Sequence, residues 1–298
     1  MTTKPRQSGQ GPAHTVGPAQ NQSTESHGTK SHQSHALPLA LTFLGTIVIL
    51  GTYIAVLLTQ PANLGTNLGH TTLWVMLGYL LGGVLLAAGT LPLIPRSILA
   101  LIPVAIAANI VIGHVVGNVT PIPLYLDSIG TVMIGVLAGP AAGAFTGIIS
   151  NLIWGVTLSP SVIAFSSGAA FIGAAAGWAA RLGAFRTPWF AVIIGALAGI
   201  PAGALGAPVA AYVFGGGLGS GTGGVVAVLQ AAGLEMLNAT LAQSLFSDII
   251  DKALIFALAY VVVRTLPRRI LDRYPFTDHS LSRSSRNSDN SRTPAQVG

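Results

Sequence analysis

The residues able to do chemistry fall into two clusters in a chain that is otherwise nearly free of them. The first is the stretch "PLYLDSIGT" at 123–131, which carries Tyr125 and Asp127. The second is "GLEMLNATLAQSLFSDIIDK" at 233–252, with Glu235, Asn238, Gln243, Asp248, Asp251 and Lys252. Between 98 and 180 Asp127 is the only formally charged side chain. A carboxylate at bilayer depth costs at least about 2.5–3.5 kcal/mol, so it must face a cavity, find a donor or sit at the interface. Pro121 and Pro123 favour a non-helical entry just before it, so Asp127 either meets a ligand or caps the helix that follows.

Other polar groups interrupt apolar segments. Asn109 and His114 lie in "ANIVIGHVVGN", where a neutral imidazole makes one hydrogen bond without bringing charge into lipid. Asn151 and Trp154 are three apart and share a helical face, an amide beside an indole that suits a flat polar ligand. Trp154 also fits the aromatic belt of a membrane interface. Asp248 and Lys252, four apart with the acid first, are spaced to pair on a helix, whereas Asp251 and Lys252 should point in different directions.

Several chemistries have no support. There are no cysteines, and His114 has no second ligand at helical spacing, so neither thiolate nor clustered-histidine metal sites are expected. No GxxxxGK[ST] phosphate loop and no GxSxG elbow occur. No nucleophile, base and orienting group fall at suggestive spacings, so neither an enzyme nor a cofactor is expected.

The elements that must position these residues are membrane helices. The 298-residue chain is 51% hydrophobic and 7% charged, against about 25% charged in an ordinary soluble domain. An all-α, polytopic helix bundle follows, because lipid leaves the backbone only helices or closed barrels. Spans are expected near 37–59, 72–92, 98–117, 124–138, 141–158, 162–181, 188–213 and 245–266. The polar stretches 1–35 and 275–298 are expected to be disordered.

Basic residues set the direction. Lys4, Arg6, Lys30, Arg96, Arg181, Arg186 and the group Arg264, Arg268, Arg269 and Arg273 fall on one side if eight spans alternate. Both termini are then cytoplasmic, in a multi-pass cell-membrane protein, and the net charge of +6 reflects orientation in a bilayer and not a nucleic-acid site. The segment 224–243, after the glycine run "GGGLGSGTGG", is expected outside or partly inserted and not spanning. Gly135, Gly139, Gly143 and Gly147, and later Gly195, Gly199 and Gly203, recur every four residues and provide close-packing faces. Pro140 divides the first run into a tight helical hairpin.

Taken together, "LALIPVAIAANIVIGHVVG", "PLYLDSIGTVMIGVLAGPAAGAFTGIISNLIWG" and "SDIIDKALIFALAYVVVRTLPRRIL" resemble the substrate-binding S component of an energy-coupling factor transporter. The resemblance implies a six-helix core over 93–274, preceded by two added helices within 36–92. It implies capture of a vitamin or related micronutrient from outside, then docking on a transmembrane coupling subunit with cytoplasmic ATPases. Asp127, Asn151, Asp251 and Lys252 lie in the matching runs. The small-residue row of the first core helix, Ala100, Val104 and Ala108, is the implied docking face, with Val104 departing from a strict AxxxA pattern. A membrane sensor input domain and a self-sufficient secondary transporter are the alternatives, the latter using Asp127 or Glu235 for proton coupling.

Overall fold

The computed structural model describes residues 36–59, 70–216, 219–267, 271 and 274. The terminal stretches 1–35 and 275–298 lie outside the described residues, as do Lys4, Arg6, Lys30, Arg268, Arg269 and Arg273. Among the described residues the fold is all-helical. Its helices are α1 (Ala36–Thr59), α2 (His70–Thr90), α3 (Ile102–Val119), α4 (Ile129–Ala138), α5 (Pro140–Thr157), α6 (Ser166–Arg181), α7 (Pro188–Phe214), α8 (Ser220–Ala231) and α9 (Met236–Thr265). Five segments, containing α1, α2, α3, α6 and α7, are long and apolar enough to cross a membrane, which makes this a multi-pass membrane protein.

Glycine decides how closely the helices approach. A Cβ at Gly143 would collide with the backbone of Gly173, and one at Gly147 with that of Ala169, so α5 and α6 run antiparallel almost backbone to backbone. Gly195, Gly199 and Gly203 of α7 lie against the carbonyls of Lys252, Asp248 and Ser244 of α9 in the same antiparallel sense. Without side chains between them, the helices gain dispersion contacts along their whole length. The hairpin expected at Pro140 is present: α4 ends at Gly139, whose φ of 93° favours glycine, and α5 begins at once.

Two expected spans start later than the spacing suggested, and the structure adds detail to two further segments. The segment 121–128 is not helical: α4 starts only at Ile129, since the prolines and a left-handed Leu126 (φ 48°) keep the preceding chain irregular. The segment 162–181 opens with a 3-10 turn, Pro160–Phe165, before α6. Residues 224–243 do not form one unit. They divide at Gly233 (φ 99°) into most of α8 and the first two turns of a 30-residue α9. Finally, the leading pair is packed into the bundle: Ile49, Val56, Val75 and Tyr79 share one core with Ile148, Leu152, Val209 and Val213.

The described charges are separated along the bundle. Arg96, Arg181, Arg186 and Arg264 lie at one end, where Arg264 donates to the Arg186 carbonyl at 2.6 Å. Glu235 lies at the other end, and Asp127, Asp248, Asp251 and Lys252 cluster nearer the middle of the bundle, around the centre of α9.

Candidate functional site

At that second end, the C-terminal turns of α3 and α5, the irregular segment 121–128 and the first half of α9 enclose a cleft. It has about 1020 Å³ of empty space, including the part open to the outside. Room comes from small residues: Gly113 and Gly117 on α3, Gly168 and Ala169 on α6, and Ala202, Gly206 and Ala210 at four-residue spacing on α7.

The polar centre is Lys252. Its ammonium lies 2.6 Å from Asp251 Oδ2, 3.5 Å from Asp127 Oδ1 and 3.9 Å from Asp248 Oδ1. The expected Asp248–Lys252 pair is therefore present, but Asp251 and Lys252 do not diverge. The lysine stem is long enough to fold back along the helix onto its neighbour, and Asp251 is its tightest partner. Asp251 is fully buried behind the cleft and also accepts the amides of Tyr125 at 3.1 Å and Leu126 at 2.7 Å. Asp127, Asp248 and Lys252 line the cleft itself.

Asp127 does not cap α4. The N-cap residue is Ser128, and Asp127 Oδ1 instead accepts from the Ser128 hydroxyl at 2.7 Å and faces Lys252. The capping falls to Asn109 on α3, whose Oδ1 accepts the amides of Gly130 at 2.7 Å and Thr131 at 3.4 Å. Its Nδ2 donates to the hydroxyls of Thr131 and Ser150 at 2.8 and 2.9 Å, so the amide is fully engaged inside the bundle and does not line the cleft.

Asn151 and Trp154 both line the cleft, as their spacing suggested. Asn151 Nδ2 donates to the Val162 carbonyl at 3.4 Å. Trp154 is only 6% exposed, with its benzo edge close to Gly113, so it is not the interfacial belt residue. Trp74, Trp178 and Trp189, 71%, 54% and 76% exposed, take that position. The Trp154 Nε1 is buried with no hydrogen-bond partner. Tyr125 lines the cleft with its hydroxyl close to Gln243 and Thr222.

Other expected site residues lie elsewhere. His114 pairs with Asn118 along α3 at 3.2 Å and meets the Trp154 ring edge-on at 6.5 Å, behind the cleft wall. Glu235 and Asn238 are exposed at the start of α9, because that helix begins beyond the cleft. Of the docking row, Ala100 precedes α3 and is exposed, Val104 is 66% exposed and Ala108 is half-buried. Ser244 and Asp248 were missed as lining residues, although Ser244, Asp248 and Lys252 form a four-residue polar row that an all-helical reading of 236–265 would have shown. No group of metal-ligating side chains occurs among the described residues.

The chain matches no family model, no curated protein and no solved structure.

Proposed function

We propose that this protein captures a small polar molecule from the side of the membrane opposite its basic ends. In this reading it is the substrate-binding S component of an energy-coupling factor importer for a vitamin or related micronutrient. The cleft carries the proposal: a mixed polar and apolar space built from distant helices and lined by a buried cluster of charges. The sorting of arginines to the opposite end supports an outward-facing opening, with eight crossings and both termini cytoplasmic in the cell membrane. The eighth crossing needs α4, whose ten residues span only about 15 Å. The irregular segment 121–128 completes it, and such backbone is tolerated at membrane depth where it lines a cavity. Energy for uptake then comes from a coupling subunit and ATPases that dock on the outward face of α3 around Val104.

Two measurements test this reading. Mass spectrometry of small molecules released from the purified full-length protein should identify a stoichiometric ligand, and a protein that yields none sinks capture. Uptake in cells should stop when the partner ATPases are deleted. Uptake that survives the deletion and collapses with the proton gradient makes the protein a secondary transporter, and co-purification with a signalling protein instead of ATPases makes it a sensor input.

A further inference from the structure

The charge of the cleft is not balanced. Three carboxylates, Asp127, Asp248 and Asp251, surround the one ammonium of Lys252, two acidic groups more than the one cation can pair at a site walled by helices. Lys252 is saturated: its contacts run to all three aspartates and to the Ser128 hydroxyl at 3.4 Å. An anionic ligand would have to displace a carboxylate to reach it. Asp251 is spent on Lys252 and the two loop amides. The excess therefore resides on Asp127 and Asp248, which line the cleft and keep partial exposure, with side chains 25% and 14% exposed. Desolvated carboxylates without a counter-charge are costly, and a bound cation offsets that cost.

An independent observation lies on the same wall. Trp154 is buried and lines the cleft, yet its Nε1, a donor only, has no acceptor. A buried indole N–H without a partner is matched by an acceptor on a ligand.

We infer, on the basis of the capture reading above, that the ligand is an organic cation: a protonated amine or a positively charged nitrogen heterocycle that also carries a hydrogen-bond acceptor. Asp127 and Asp248 are its counter-ions, and the Trp154 N–H takes the acceptor. A bare metal ion is the poorer occupant, because the Lys252 ammonium already occupies the point where the carboxylates converge.

The test uses three probes of nearly one shape and different charge: 1-methylnicotinamide (cation), nicotinamide (neutral) and nicotinate (anion). Each is titrated at fixed ionic strength against full-length protein in lipid nanodiscs, with Trp fluorescence and thermal unfolding as readouts. The cation should bind at least about tenfold more tightly than either of the others, the scale of one charge-assisted contact. Asp248→Asn should reduce that preference by about tenfold while the protein still unfolds cooperatively. Asp127→Asn is the second variant should Asp248→Asn fail to fold. Equal or tighter binding of nicotinate overturns the charge assignment and leaves capture standing. No response to the cation also overturns it, while ligand extraction decides capture independently.

Discussion

The Asp251 carboxylate in the middle of α9 accepts the backbone amide of Leu126 at 2.7 Å across 125 residues of sequence. With the neighbouring Tyr125 amide at 3.1 Å, it fixes a left-handed turn at a residue that is not glycine. That turn sets Tyr125 and Asp127 on the cleft wall, so a buried acid outside the site holds two site residues in place.

Removing Asp251 should therefore unfold more than it unbinds. Asp251→Ala leaves Lys252 without its 2.6 Å partner and two amides without an acceptor, at a cost of about 3–5 kcal/mol. Asp251→Asn keeps an acceptor for the amides and should cost less. Thermal unfolding of the two variants in detergent checks the order; equal losses would mean that the turn does not depend on these bonds.

Asn109 should behave as a structural residue and not as a ligand. Asn109→Ala strips the Gly130 amide of its acceptor and leaves the Thr131 and Ser150 hydroxyls without their donor, a loss of about 2–3 kcal/mol. Ligand affinity of the protein that remains folded should stay within about twofold of wild type, because Asn109 does not line the cleft. A variant of full stability with lost binding contradicts this assignment.

The glycine faces predict position-specific sensitivity. A Cβ at Gly199 would lie 2.7 Å from the Asp248 carbonyl carbon and the Ile249 Cα, so Gly199→Leu must push α7 off α9. Overpacking of this kind costs about 1–3 kcal/mol, and it shifts the polar row Asp248–Lys252 as well. Gly51→Ala, where a Cβ meets nothing within 4 Å, should lose no stability. Parallel melting curves test the contrast, and similar losses at both positions would refute the backbone-to-backbone packing.

Trp154 should report the cleft directly. Trp154→Phe keeps an aromatic ring but removes the N–H and part of the buried indole, so ligand binding should weaken by about tenfold while the variant, at some cost in stability, still unfolds cooperatively. Isothermal titration with the ligand identified by mass spectrometry measures it. Unchanged affinity would show that the indole N–H takes no acceptor from the ligand.

By itself the sequence determined what lipid demands. Helices, their approximate spans, the hairpin at Pro140 and the glycine faces all follow from composition and local spacing, because a bilayer forbids unpaired backbone and glycine spacing is a linear code. The pairing of Asn151 with Trp154, and of Asp248 with Lys252, was legible for the same reason: each pair lies within one helix. Only the tertiary structure decided between helices. Asn109 caps α4 from α3, Asp251 holds the turn at Leu126, and Lys252 meets Asp127, each across 21 to 126 residues. Which polar group caps, which braces and which lines the cleft depends on the neighbour that packing brings within hydrogen-bonding distance, and no local spacing encodes that neighbour.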